Sequence, residues 1–302
     1  MKELIEKAKI LQEALPYIRE FHGKVFVVKY GGSAMMQEHL RESFARDVVL
    51  LKYVGIETVV VHGGGPQISN TLKRFGIKSR FVGGIRKTDE ETMHIVEMVL
   101  SGDINKDIVA LINKYSGERV YAVGISGRDG KLLKARKLNA REYFTSIGLP
   151  PPDDDVGYVG EIVEVNVHLI VSLLKSGFIP IIAPVGVGDE GEAYNINADI
   201  AASEIARQLK AEKLIFLTDT SGVKDAEGNV FSSLCQQEAF LLLKKGVIKE
   251  GMIPKVSSAL KALEGGVKKV HIVDGRIPHS LLLEIFTERG IGTEIKPDNL
   301  PT

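Results

Sequence analysis

The chain has 302 residues, 44% of them hydrophobic, and its 39 Lys and Arg balance 39 Asp and Glu to a formal charge of zero. That length holds one large α/β domain or two smaller ones, and the missing cationic excess speaks against nucleic acid. The lone Cys235 excludes an internal disulfide framework and every CxxC motif, and no stretch reaches the ~18 apolar residues of a membrane span, so a soluble, cytoplasmic protein working on small molecules is expected.

In residues 1–20, Leu4, Ala8, Leu11, Leu15 and Ile18 recur at spacings of three and four, while Lys2, Glu6, Lys9 and Glu13 fall elsewhere. This is the pattern of an amphipathic helix, which either packs on its own domain or pairs with another subunit. Its mixed charges stand where a secretory signal would need an apolar run. The first strand, Lys24–Tyr30, is apolar except for Lys29 near its end, and it runs straight into Gly31 and Gly32. A lysine there is costly unless its stem is buried and its head reaches water, or its charge meets a partner. Beside a diglycine turn, that cation suits a transferring phosphoryl group.

A helix over Leu40–Tyr53 leads to a second strand, Thr58–His62, which opens into Gly63-Gly64-Gly65-Pro66. Two such strand-to-helix glycine turns in adjacent units make an anion cradle, with His62 a structural residue above the second. Arg86 lies just before Thr88 and Glu91, read as a capping box that starts the helix Glu91–Leu100, where a guanidinium and a helix N-terminus both favour a carboxylate. After the strand Val120–Ile125, residues 126–162 break the alternation. Their turn signals and the run Pro150–Asp155 predict strands or hairpins joined by an exposed loop.

The helix Val165–Leu174 and the strand Phe178–Val185 restore the pattern. Gly186–Gly191 fits G-x-G-x-x-G, but Glu192-Ala193-Tyr194-Asn195 follows instead of a helix, so it reads as a turn and as a lobe boundary near residue 190. Asn195, Asn197 and Asp199 precede the helix Ile200–Leu209. One residue suffices as a cap, which leaves Asn195 for an amide or carboxylate ligand and Asp199 to position lysines. The strand Lys213–Leu217 ends in Thr218–Val223, a nucleotide-type turn. Gly251 and Met252 bring Lys255 to the start of the helix Lys255–Leu263, where its charge opposes the dipole unless an anion binds. A last strand spans Val267–Val273. Alternation of this kind predicts a mainly parallel sheet with helices on both faces and ligands beyond the carboxyl ends of its strands. No P-loop, HExxH or GxSxG motif occurs.

Taken in order, Lys29-Tyr30-Gly31-Gly32, His62-Gly63-Gly64-Gly65-Pro66, Gly84-Ile85-Arg86, Asn195–Asp199, Thr218–Val223 and Gly251–Lys255 resemble the amino acid kinase family over about residues 22–300. The resemblance implies a three-layer αβα sandwich around a mainly parallel open sheet. It implies an N-terminal helix, 1–21, and a kinase domain, 22–302, with an acceptor lobe (22–190) and a nucleotide lobe (191–302). The activity it implies is ATP-dependent phosphorylation of the side-chain carboxylate of N-acetyl-L-glutamate, with Mg²⁺ carried on ATP and no resident metal. Lys29 and Lys255 would neutralise the transferring phosphoryl group and Asp199 would hold both. Gly64, Gly65, Arg86, Asn195 and Asn197 would bind the acceptor. Gly31, Gly32, Thr218, Asp219, Ser221, Gly222, Val223, Lys224, Gly251 and Met252 would face phosphates and nucleotide.

The N-terminal helix and the segment 282–293 resemble the arginine-inhibited branch of that family, which implies a hexamer built as a trimer of dimers. Arginine would then bind at Glu284 and Gly290. A kinase for acetylaminoadipate, one methylene longer, shares nearly all these motifs. A non-catalytic amino-acid sensor would keep the fold without turnover, and an NAD-dependent oxidoreductase would need Gly186–Gly191 to cradle a pyrophosphate.

Overall fold

A computed structural model of the chain describes residues 1–118, 120–148, 150–152, 155–248 and 251–298, and only the backbone of residues 2, 3 and 6–8. The side chains of Lys2, Glu6 and Ala8 in the amphipathic pattern, and Asp153 and Asp154 in the predicted loop, lie outside the described residues. The chain begins with helix α1 (Lys2–Phe21), strand β1 (Val25–Tyr30), a 3-10 turn at Gly32–Met35 and α2 (Glu38–Tyr53). Then come β2 (Glu57–His62), α3 (Gly65–Arg74), a hairpin of β3 (Phe81–Val82) and β4 (Ile85–Arg86), and α4 (Glu90–Glu97). A π-helical turn at Met98–Ile104 joins α4 to α5 (Asn105–Tyr115). The middle of the chain forms β5 (Tyr121–Ser126), β6 (Leu133–Lys137), α6 (Ala140–Ser146), β7 (Gly160–Val165), α7 (His168–Lys175), β8 (Phe178–Ala183), β9 (Val185–Val187) and β10 (Ala193–Asn195). It closes with α8 (Ala198–Gln208), β11 (Lys213–Thr218), β12 (Ser233–Cys235), α9 (Gln236–Lys244), α10 (Ile253–Glu264), β13 (Lys269–Asp274), α11 (Ser280–Ile285) and β14 (Thr293–Lys296).

Eight strands form one sheet in the order β12-β14-β13-β11-β1-β2-β8-β5, parallel from β13 to β5, with β14 antiparallel to β13. β1 explains the layering. Phe26, Val28 and Tyr30 point into one core with Phe44 and Val48 of α2, while Val27 points into the other with Ala201 and Ile205 of α8. A strand buried on both faces must be nearly all apolar, and each fully buried Val or Phe is worth roughly 1.5–3 kcal/mol. Small residues at Ala201, Ala202 and Ala206 let α8 lie against the sheet. Tyr30 stacks on Phe44 at 3.8 Å and donates its hydroxyl to Ala34 O. The result is a three-layer αβα sandwich.

The chain leaves β1 toward β2 on one side and leaves β11 toward β13 on the other, so the crevice beyond the carboxyl ends of β1 and β11 is a topological switch point. Three points differ from the sequence expectations, while the Gly186–Gly191 turn agrees with them. The cap of α4 is Asp89, whose carboxylate accepts Thr92 N–H at 2.9 Å. Thr88 is no cap, because it is buried and donates its hydroxyl to Arg86 O at 2.8 Å. Gly186–Gly191 forms the antiparallel β9–β10 turn, in which Gly188 N–H donates to Glu192 O. Val165 closes a strand, and α7 starts only at His168. Within 126–162, α6 appears where only strands and loop were expected.

Candidate active site

Three charged side chains meet at the switch point. Lys29 sits next to last on β1, Asp199 in the first turn of α8, and Lys255 in the first turn of α10, whose N-terminus lies at the same sheet edge because its far end feeds β13. Lys255 Nζ donates to Asp199 Oδ2 at 2.6 Å, and Lys29 Nζ stands 3.1 Å from Asp199 Oδ1. That second contact is off the hydrogen-bonding direction, so Oδ1 carries no hydrogen bond despite its burial. The ammonium protons of Lys29 are therefore left for a third group. Lys29 is 9% exposed and Asp199 7%. Burial alone would raise the Asp199 carboxyl, but Lys29 and Lys255 outweigh it and hold the group far below the ordinary range. Burial, and then the neighbouring Lys255, depress the Lys29 ammonium, while Asp199 opposes both. Two ammonium groups sharing one carboxylate leave a buried surplus of positive charge, which favours an anion.

The diglycine turn is needed beside this cluster. A Cβ at Gly31 would lie 2.6 Å from Lys29 Nζ, and one at Gly32, whose φ is +74°, would lie 2.5 Å from Asp219 Oδ1. Ser33 donates both its N–H and its hydroxyl to that same Asp219 oxygen, each at 2.7 Å. The β11 turn is thereby tied to the β1 turn across the crevice. Within it, Thr218 Oγ1 accepts Thr220 N–H, and Val223 N–H is spent on Thr293 Oγ1 at 2.9 Å. Gly222 takes φ +138°, and Lys224 bridges to Val230. Ser221 lies partly exposed in that turn, and Gly251 and Met252 lead into α10.

Beside the cluster lies a cavity of about 200 Å³ lined by Gly64, Gly65, Arg86, Tyr143, Asn195 and Asn197, among others. Arg86 is 7% exposed. Its Nη1 donates to Ser79 Oγ at 2.7 Å, its Nη2 donates to Gly65 O and Ser69 Oγ at 2.9 Å, and it lies 4.6 Å from the Phe81 ring centre. Burial lowers its pKa, yet a guanidinium stays charged. Asn195 donates to Thr88 Oγ1 at 3.2 Å, so Thr88 orients it. Asn197 caps α8 by accepting Asp199 N–H at 2.8 Å and Ile200 N–H at 3.2 Å, so only its amide N–H₂ remains for a ligand. A Cβ at Gly64 would overlap Ile104. His62, buried and pushed down to about 4 mainly by its burial, pairs with Gly63 O and Asn105. It is neutral and structural.

Glu284 and Gly290 lie elsewhere. A cavity of about 610 Å³ lined by Tyr17, Lys213, Glu284, Gly290 and Glu294 opens at the other sheet edge. Lys213 begins β11 and Thr218 ends it, which sets the two sites apart by about 17 Å of strand. Neutral His271, its pKa lowered by burial and by Lys213, donates Nδ1–H to Glu284 at 2.6 Å and accepts Lys213 Nζ at 2.9 Å. Ile291 and Gly292 donate their N–H groups to Glu284 Oε2, and a Cβ at Gly290 would stand 2.7 Å from that oxygen. Ser33, Ser69, Ser79, Phe81, Thr88 and Tyr143 were not singled out from sequence as site residues, because nothing local marks a partner that is distant along the chain.

Comparison with known proteins settles the family. The model of the amino acid kinase family matches residues 24–274. The chain belongs to the amino acid kinase family. It is a kinase whose relatives include the acetylglutamate kinase of Aquifex aeolicus, 74% identical over 98% of this chain and 99% of that one. The acetylglutamate kinase of a Sulfurihydrogenibium species is 59% identical over 98% and 99%. Among solved structures, N-acetylglutamate synthase from Neisseria gonorrhoeae, complexed with coenzyme A and N-acetyl-glutamate, matches at TM-score 0.83 and 29% identity. The match covers 97% of this chain and 64% of the synthase, so this chain spans less than two thirds of that protein. The same synthase complexed with coenzyme A and L-arginine matches at TM-score 0.79 and 28% identity, over 96% of this chain and 65% of that one.

Proposed function

We propose that the chain transfers the γ-phosphoryl group of ATP to the side-chain carboxylate of N-acetyl-L-glutamate. A carboxylate oxygen attacks the γ-phosphorus, the bond from that phosphorus to the β–γ bridging oxygen breaks, and ADP leaves with the electron pair as an acyl phosphate forms. The observation that carries the reading is the pair of ammonium groups sharing Asp199 at the switch point. A carboxylate is already a nucleophile at neutral pH, so no general base is required. The task is to bring an anion against a polyphosphate, which calls for lysines, helix N-termini and backbone N–H groups. In this reading Lys29 and Lys255 take the charge of the moving phosphoryl group and Asp199 holds both in place. Arg86 takes the α-carboxylate, with Asn195 and the glycine turn around the rest of the acceptor. The Asp219 turn, tied to Ser33, faces the nucleotide.

Among the described residues no three His, Cys, Asp or Glu side chains gather as metal ligands do. We assign Mg²⁺ to the phosphates of ATP as part of the substrate, since kinase-type sites hold it through those phosphates with one or two carboxylates at most. The test is an ATP-dependent hydroxamate assay comparing N-acetylglutamate, glutamate, aspartate and N-acetylaminoadipate. Strong preference for N-acetylglutamate is expected. Absence of turnover with it, or a preference for N-acetylaminoadipate, contradicts the reading.

The Glu284 cavity supports a second element, feedback inhibition by arginine. The cavity sets Glu20, Glu284, Glu288 and Glu294 against Lys213, Lys269 and Arg289 around one space, with Lys269 already paired to Glu294 at 2.9 Å; the remaining carboxylates suit a guanidinium, and Tyr17 from α1 reaches the same space. Leu4, Ile5, Ile10, Leu11 and Leu15 of α1 are exposed, which suits pairing of that helix between subunits in a hexamer. Among the described residues no helix is long and apolar enough to cross a membrane. We assign the reaction to the cytoplasm.

A further inference from the structure

We propose that Tyr143 sets the acyl-chain selectivity of the acceptor site, by walling off a second cavity that longer N-acyl groups would otherwise enter. The inference rests on the reading that an N-acyl-L-glutamate is the acceptor. Two cavities lie side by side. The acceptor cavity of about 200 Å³ and a neighbour of about 310 Å³ share Leu138, Tyr143, Gly160 and Ile200 on their walls. Of these four, Gly160 has no side chain, and a Cβ there would stand 2.6 Å from Tyr194. Leu138 is fixed in a small cluster with Val156 and Val159. Tyr143 is the largest side chain between the two spaces.

The three arms of the substrate α-carbon then sort themselves. Arg86 is the buried cation suited to the α-carboxylate, and the side-chain carboxylate must reach Lys29 and Lys255. The acylamino arm is left facing the third wall, where Leu138, Tyr143 and Val159 present apolar surface. The phenol of Tyr143 is pushed up by burial and by nearby Asp199, so this wall stays uncharged. Helix α6 holds the ring in place, because Phe144 packs edge-on against Tyr143 at 5.6 Å and seats on Gly83, where any side chain would overlap it. An acetyl methyl fits in front of the ring, whereas further methylenes meet it. Beyond the ring, the second cavity is lined by Ile147, Ile162 and Pro254, with Glu142, Glu161, Glu204 and Lys261 also on its walls. Ser257 of α10, partly exposed, lines the same space.

The test compares kcat/KM for N-acetyl-, N-propionyl- and N-butyryl-L-glutamate in the full chain. In the wild type, butyryl is expected to fall at least tenfold below acetyl, since a single methylene at a closed wall is worth about 10–200-fold. Tyr143→Ala should raise the butyryl-to-acetyl ratio at least tenfold, and Tyr143→Phe, which keeps the ring, should hold the wild-type ratio. Adding Ser257→Leu to Tyr143→Ala refills the neighbouring space and should return the ratio toward wild type, an outcome that general loosening of the fold does not produce. Tyr143→Leu serves in the same way if the alanine variant folds poorly. A ratio within twofold of wild type in both the alanine and leucine variants overturns the inference while leaving the kinase reading intact. A wild type that fails to phosphorylate N-acetylglutamate overturns both.

Discussion

Two buried carboxylates stand at opposite edges of one sheet, and their surroundings differ in sign and in completeness. Asp199 faces two ammonium groups, and one of its oxygens has no hydrogen bond. Glu284 is met by a neutral His271 and by the backbone N–H groups of Ile291 and Gly292. The first arrangement is short of one anion, and the second is a finished network bordering a cavity of mixed charge. A cluster left electrically incomplete belongs where a charged group arrives and leaves during a reaction. A cluster complete by itself can hold a wall in shape while a cation binds beside it. The same residue type thus serves two ends, set by what is placed around it.

The largest effect that would sharpen this contrast comes from Asp199→Ala. Two buried ammonium groups would lose their counter-charge, and thermal or denaturant unfolding should show a loss of about 3–5 kcal/mol along with most turnover. Little change in stability would mean that the surplus charge is solvated and the contrast is false. At the other edge, Lys213 is pushed down to about 8, first by burial and then by Lys269. Its folded value lies below its unfolded one, so the unfolded chain binds more protons between these values and stability rises with pH from about 8 toward 10.5. Relative to Lys213→Met, the wild type should gain about 2 kcal/mol between pH 7.5 and 9.5 in unfolding experiments. A flat difference breaks that assignment.

Arg86→Lys keeps the charge at the acceptor cavity but loses the fork that engages Ser79, Ser69 and Gly65 at once. The KM for N-acetylglutamate should rise at least tenfold, with a smaller change in kcat. Equal falls in kcat and kcat/KM would instead place Arg86 in the transition state alone. Glu284→Gln should weaken arginine inhibition by several-fold, seen as a higher concentration for half-inhibition. Unchanged inhibition would remove Glu284 from the arginine site.

Much of the molecule was legible in the order of its residues. Lys29 stood out because a lysine inside the run Val-Phe-Val-Val-Lys-Tyr is costly without a partner, and the partner proved to be Asp199. The strands were legible because burial on both faces demands continuous Val and Ile. What escaped was set by contacts distant in sequence. Ser33 and Asp219 are 186 positions apart, and nothing near either announces the bond. At Thr88-Asp89 two capping residues stand side by side, and the choice between them was made by Asn195, which needs the Thr88 hydroxyl. Helix α6 was hidden because Ala140–Ser146 is too short to show a period and sits beside a proline-rich loop. Its only fully buried residue is Phe144.

The central claim is that two ammonium groups converge on one carboxylate to neutralise a phosphoryl group in transfer. It is tested most directly by the turnover number of Lys29→Ala and of Lys255→Ala, each measured at saturating ATP and N-acetylglutamate with the fold verified by its melting transition. The account predicts that each folded variant loses a factor of about 10²–10³ in kcat. Turnover within tenfold of the wild type in either one would contradict it.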